Sequence, residues 1–474
     1  MSSPAPAPID PADRIPWRQK LAYGLGNVGS GIQEQADKAL LSPVFVVMMG
    51  ISPSTMSVLG MLYRVWDGIT DALMGWVSDN TRTRWGRRRP YIALGAVLMG
   101  LWMPVLFFFD RDWALSTVTW WMIGSMLGLY LFNTIFNIPY QCLLLEMTAD
   151  SNERTNVVVW RAYLGKIVQL VMFWMWWLVQ LPVFDNAAGE TDILNGARWV
   201  TSFLGIAVIV FGLLPALFVP ERFYHRSGQQ GKSSLRDNFR QTFANRPFLV
   251  LMGFMLCFSI GGNMKWGLDF FTKLYYVCGG DQKLAASLTG VQGTITTIAS
   301  VVAIPVFQWL ARRRGKLFAL RVTMWIVFTA SLSTLVCYTP SVPWLSVLPG
   351  ILLAPAVTAL WILVPSMTGD VVDHDELQTG QRREGAFASI FSWLLKLSLS
   401  LAALASGPLV ELAGYRPEIR HDLPPEVLDN MRYLLAFAPA LLIAPAIWLT
   451  HRYTLTTEVV AENRRQLEAR RGRL

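Results

Sequence analysis

Twelve apolar runs of about 20 residues or more recur along the chain, separated by short polar breaks. A helix of that length can cross the hydrocarbon of a bilayer, where each backbone amide must be satisfied inside its own segment. The predicted spans are 20–49, 53–79, 90–110, 113–145, 157–181, 198–220, 247–277, 284–311, 317–338, 342–370, 385–414 and 427–451. Hydrophobic residues make up 53% of the 474 positions and charged residues only 15%, with 20 tryptophans. That balance lies outside the range of soluble domains. The sequence therefore predicts an all-α, polytopic membrane protein.

The formal net charge of +9 does not indicate nucleic acid, because the basic residues fall in short clusters between apolar runs, as the positive-inside rule places them. One alternating set of segments holds Arg14, Arg18 and Lys20, then Arg82 to Arg89, Arg154, Arg222 to Arg246, Arg312 to Lys316, Arg382 and Arg383, and the tail from Arg452. Both termini are accordingly expected in the cytoplasm. The expected divisions are a Pro/Ala-rich tail without a signal-peptide core (1–19), six spans (20–220), a polar linker (221–246), six more spans (247–453) and a basic tail (454–474). The turn Arg312-Arg313-Arg314-Gly315-Lys316 after the eighth span echoes the arginine block after the second, which suggests two bundles of similar construction. Cys142, Cys257, Cys278 and Cys337 show no CxxC spacing and are read as packing residues.

Within this frame the stretch from Arg64 to Tyr91, RVWDGITDALMGWVSDNTRTRWGRRRPY, stands out. Asp67 and Asp71 are one helical turn apart and share a face. In a membrane span each costs at least about 2.5 to 3.5 kcal/mol unless it faces a cavity, a partner or an ion. Two solvated acids on a soluble helix would be the plain alternative, but the apolar surroundings argue against it. A hard cation favours carboxylate and hydroxyl oxygens, and adjacent carboxylates repel one another until a cation or proton lies between them.

A six-plus-six chain with a basic turn after spans two and eight resembles the major facilitator superfamily. WDGITD followed by SDNTRTRWGRRRPY, then IPYQCLLLEMTADSNERT, then GDVVDHDELQTGQRREG are similar to segments of the glycoside-pentoside-hexuronide:cation symporters, the family of melibiose permease. This resemblance implies the major facilitator fold of twelve transmembrane helices in two six-helix bundles, with transport by alternating access. It implies Asp67 and Asp71 as ligands of Na+ or acceptors of H+, with Thr134 adding an oxygen. Thr70 stands where melibiose permease has an asparagine ligand, which leaves Na+ and H+ both open. It also implies a sugar site with Asn133, Asn137 and Gln141 on the fourth span, Arg161 on the fifth, Trp361 on the tenth and Lys396 on the eleventh. Without the resemblance, Trp361 is equally well read as a lipid-facing or core aromatic. Lys396 lies about ten residues from either end of its apolar run, too deep for ready snorkelling.

Two positions depart from the family pattern. Gly31 and Asn137 occupy the places of sugar-contacting acids in melibiose permease, and Glu34, the nearest acid on the first span, is expected to serve the same substrate cavity from an adjacent face. Galactoside specificity is therefore not carried over. GRRRPY and GIQEQADKALLSP are also similar to segments of sucrose and maltose proton symporters of the same wider group, so a glucoside disaccharide is expected. The alternative within the family is a sodium-dependent lysophospholipid symporter.

Other polar residues have plainer readings. Lys265 and Asp269, one turn apart, are expected to form an intrahelical ion pair. Asp370, Asp373, His374, Asp375 and Glu376 resemble a metal cluster in composition, but a cytoplasmic gate network of Arg84, Arg87, Arg88, Asp370 and Asp373 is the preferred reading. Gly231-Lys232-Ser233 is half a phosphate loop, with Arg226 in the place of its first glycine, and is read as linker. The spans offer neither a nucleophile with its base nor a metal triad, and no large ligand or signalling domain is left over, so neither an enzyme nor a receptor is expected. The expected partners are a small sugar, the coupling cation and the lipid bilayer of a bacterial inner membrane. No cofactor, nucleic acid or metal beyond Na+ is expected, and the protein is expected to be a monomer.

Overall fold

The computed structural model describes residues 15–148, 151–186, 189, 191–221, 245–380, 384–419 and 422–471. Arg14, the linker residues 222–244 with Arg226 and Gly231-Lys232-Ser233, and Arg382 and Arg383 lie outside the described residues. The described chain is helical, without strands, and its long helices fall on the predicted runs.

They are α1 (Trp17–Leu41, continued by a π-helical turn, Ser42–Met48), α2 (Pro53–Asn80), α3 (Arg89–Trp102), α4 (Leu115–Met147), α5 (Ser151–Met172) and α6 (Ile193–Phe218). The rest are α7 (Arg246–Phe271), α8 (Gln282–Arg314), α9 (Lys316–Cys337), α10 (Leu348–Thr379), α11 (Glu384–Leu412), α12 (Pro425–Arg452) and α13 (Thr457–Arg471). Their starts follow local chemistry. Asp192, Asn245 and Asp281 accept from the first-turn amides of α6, α7 and α8, satisfying donors that a helix leaves open. Among the described residues nine helical segments are long and apolar enough to cross a membrane. Helices α1, α2 and α5 are not among the nine. All three carry acids and bases along with their apolar residues.

Two differences from the predicted boundaries matter. Helix α10 runs nine residues past the expected end at 370, because VVDHDELQT continues the helix until Gly380 closes it at φ 70°. The expected tail contains α13, whose Leu467 is buried and whose Asn463 amide lies 3.1 Å from the His374 ring.

The chain divides into two compact units. The first comprises α1, α2 from Leu62 onward, and α3 to α6. Its helices approach through small residues: a Cβ on Gly29 would press on the Val208 carbonyl of α6, and one on Gly95 would overlap the Phe136 backbone of α4. Close helix contact through glycine is the usual device where lipid removes the hydrophobic drive between helices. The second unit comprises Ser52–Met61 and α7 to α13. Its core is aliphatic and aromatic, with Phe248, Leu251, Met324, Ala359, Leu363, Phe387 and Ile443 all buried.

Candidate functional site

The first unit brings the four expected cation residues together. Asp67, Thr70 and Asp71 lie on one face of α2, and Thr134 reaches them from α4. The Thr134 hydroxyl is 3.1 Å from Asp71 Oδ1, 3.4 Å from Asp67 Oδ1 and 3.1 Å from the Thr70 hydroxyl. Thr70 also returns its hydroxyl to the Trp66 and Asp67 carbonyls at 3.0 and 3.1 Å, a back-bond that fixes its rotamer. The Trp66 ring nitrogen donates to the Leu127 carbonyl at 3.0 Å and ties α2 to α4 at this level. Thr70 and Thr134 are buried, whereas both carboxylates are half-buried. A hydroxyl carries one hydrogen, so Thr134 can donate to only one of its three neighbours at a time. The cluster thus holds more acceptors than protons, as a hard-cation or proton site requires.

The expected substrate residues are distributed over several helices. On α4, Asn133 is half-buried with a buried Oδ1 that has no hydrogen-bond partner, and Asn137 Oδ1 accepts from the exposed Gln141 amide at 3.2 Å. Arg161 on α5 acts electrostatically on the Tyr23 hydroxyl. Tyr23 in turn stacks on Tyr140 at 4.5 Å between ring centroids. Trp361 on α10 and Lys396 on α11 are both exposed. Glu34, the expected replacement acid, is exposed and paired with Lys38 at 2.8 Å. The buried acid on α1 is instead Asp37, hydrogen-bonded to Gln33. Sequence reasoning passed it over, although the spacing Gly26, Gly29, Gln33, Asp37 places it on the glycine-lined packing face.

The gate residues contribute to an ion-pair clamp within each unit. Arg87 and Arg88 converge on Glu146 at the end of α4, with Arg87 Nη2 at 2.5 Å and Arg88 Nε at 2.7 Å from Oε1. Arg88 also reaches Asp79 at 2.8 Å, and Arg84 is exposed. The Glu221 carboxylate accepts from the amides of Arg87, Arg88 and Arg89 at 2.9, 2.9 and 3.0 Å, an anion seated at the N-terminus of α3. In the second unit Asp370 pairs with Lys316 at 2.7 Å, and Asp373 is half-buried. Asp375 accepts from Asn245, and the His374 ring meets Gln378 and Asn463, so these residues pair separately. No group of three His, Cys, Asp or Glu side chains among the described residues is arranged to hold a metal ion.

The expected Lys265–Asp269 ion pair does not form. Asp269 pairs with Lys273 at 3.0 Å and accepts from the Tyr338 hydroxyl, while Lys273 also reaches Gln292 at 2.6 Å. An acid one turn N-terminal to its base is the better orientation along a helix, and Asp269–Lys273 has it where Lys265–Asp269 does not.

Long apolar helices in two bundles, one enclosing a carboxylate-hydroxyl cluster, define a multi-pass membrane transporter. The chain belongs to the family described as MFS/sugar transport protein, which matches residues 22–457. It is 26% identical over 463 residues to YagG of Escherichia coli (strain K12), a glycoside/cation symporter by name, covering 96% of this chain and 95% of that one. A glucuronide carrier protein homolog of the same organism is 25% identical over 473 residues, covering 96% and 97%. Among solved structures, a bacterial homologue of the lysosomal transporter Spinster shares the fold, with a TM-score of 0.68, 13% identity and coverage of 94% and 98%. The relatives are transporters rather than enzymes, and they agree with the resemblance to the glycoside-pentoside-hexuronide:cation symporters.

Proposed function

We propose that the protein is a cation-coupled symporter that takes up a glycoside by alternating access, with Asp67, Thr70, Asp71 and Thr134 as the coupling site. The convergence of two carboxylates and two hydroxyls on α2 and α4 is the observation that carries this reading. Two carboxylates one turn apart destabilise each other until Na+ or H+ neutralises part of their charge. A loaded cation can therefore bias one conformation over another, and only such differential affinity shifts an equilibrium. The names of YagG and the glucuronide carrier homolog support the glycoside class.

The proposed substrate is a glucoside disaccharide such as sucrose or maltose, contacted by Asn133, Asn137, Gln141, Arg161, Trp361 and Lys396. Asn137 offers both a donor and an acceptor where a carboxylate would only accept, which selects a different pattern of sugar hydroxyls. The proposed topology counts α1, α2 and α5 as spans beside the nine apolar segments, with both termini cytoplasmic. The test is uptake of labelled sucrose, maltose, melibiose and a glucuronide into proteoliposomes, with an imposed Na+ gradient, a proton gradient or neither. Concentrative uptake of a glucoside under one of the two gradients is expected. Uptake indifferent to both gradients would remove the coupling claim, and accumulation of the glucuronide alone would replace the substrate.

A further inference from the structure

Asp37 is a deeply placed carboxylate that the coupling site does not use. It is 6% exposed on α1, and its carboxylate accepts from the side-chain amide of Gln33, itself 1% exposed. Among the described residues no lysine, arginine or histidine forms an ion pair with it. On its own helix Glu34 and Lys38 reach it electrostatically, and they are already paired with each other. From α2, Tyr63 faces it, 3% exposed, with a buried hydroxyl that has no hydrogen-bond partner. From α4, Tyr130 faces it, its ring stacked on Tyr63 at 5.9 Å between centroids. Arg64 and Asp67 act on Tyr130, and Arg64 also acts on Glu34. Helices α5 and α6 also pack against α1, and α5 carries Arg161 and Lys166, neither of which forms an ion pair with Asp37.

A bare carboxylate in this position would carry the penalty of an unmatched charge in a membrane span. One amide hydrogen bond does not match a cation. A protonated acid avoids that charge, and its O–H becomes a donor, which suits the unused acceptor capacity of the Tyr63 hydroxyl. A sugar contact fits the site less well, because a carboxylate 6% exposed and bonded to a buried glutamine is little open to a ring, whereas a proton needs no such room. We infer that Asp37, set among Gln33, Tyr63 and Tyr130, is a proton-carrying site of the first unit, separate from the cluster at Asp67 and Asp71. The carboxylate takes up one H+ from water and returns it to water, with no other bond made or broken. The inference holds whichever sugar is carried and whichever cation loads Asp67 and Asp71.

Infrared difference spectroscopy of the full-length protein in lipid vesicles tests it without any substrate. On exchange from H2O to D2O near neutral pH, a C=O stretch of a protonated carboxyl is expected in the wild type, absent in Asp37→Asn and retained in Asp67→Asn. A protonated-carboxyl band that is undiminished in Asp37→Asn would overturn the assignment. Should Asp37→Asn fail to fold, Tyr63→Phe serves, since loss of the neighbouring hydroxyl should shift the band; an unshifted band counts against the site. In sugar counterflow, which needs no net cation movement, Asp37→Asn is expected to change the pH dependence of exchange. A wild-type pH profile in that variant would also defeat the proposal, whereas absence of sugar transport in the wild type would defeat the glycoside reading and leave the infrared result standing.

Discussion

The Thr134 hydroxyl connects the two carboxylates of α2 to α4. Hydrogen bonds to charged groups contribute about 1.5 to 3 kcal/mol, so Thr134→Val should weaken apparent affinity for the coupling cation roughly ten- to hundredfold. A cation titration of uptake measures this, and an unchanged half-saturation would exclude Thr134 from the site. Replacing either acid acts more severely, because the mutual repulsion that makes the site cation-dependent disappears with one charge. Asp67→Asn and Asp71→Asn are each expected to lose accumulation against a gradient, with at least one keeping sugar counterflow. Parallel accumulation and counterflow assays decide the matter, and wild-type accumulation in both variants would refute the coupling role. These residues were legible in the sequence because a carboxylate pair in an apolar run has few plain explanations. Asp37 was not legible, since Glu34 is the acid nearest the family position and only the packed helix shows which of the two is turned inward.

Between helices, the two basic turns repeat one design. Gly86 sits at φ 104° before Arg87 and Arg88, and Gly315 at φ 90° before Lys316. In each unit the basic residue after the glycine pairs with an acid on the next helix but one: Glu146 at the end of α4 and Asp370 in the last third of α10. A side chain at Gly86 would be strained by its φ and would also collide with the Glu221 carboxylate. The echo between RWGRRRP and RRRGKLF could be read from sequence, because the basic residues and the glycine are local. Glu221 could not, since it lies more than 130 positions from the amides it caps and no spacing rule links them. An anion at a helix N-terminus contributes about 0.3 to 1 kcal/mol, and up to about 2 kcal/mol in a partly buried setting. Glu221→Gln should therefore lower the thermal stability of the purified protein by about 1 kcal/mol without changing its cation dependence. A melting temperature equal to that of the wild type would show that the carboxylate charge contributes nothing there.

At the scale of the whole molecule, composition and span spacing were enough to indicate a polytopic helical protein, because the bilayer leaves a chain few alternatives. The same reasoning placed the end of α10 nine residues short and missed α13, since amphipathic helices outside the apolar runs carry no hydropathy signal. It also paired Asp269 with the wrong lysine, because spacing alone gives two candidates one turn away and only the helix direction separates them.

The clamps have a consequence for how the gene can be divided. Arg87, Arg88, Glu146 and Glu221 all belong to the first unit, and Lys316 and Asp370 to the second, so each of these pairings lies within one half. A chain cut between Glu221 and Asn245 therefore leaves both clamps intact. Two open reading frames ending and starting within that interval, expressed together, should yield fragments that each insert and that jointly restore uptake, whereas a cut before Glu221 should remove the carboxylate cap of α3 and lower the yield of the first fragment. Equal recovery from the two cut sites would mean that Glu221 does not matter to the half that contains it.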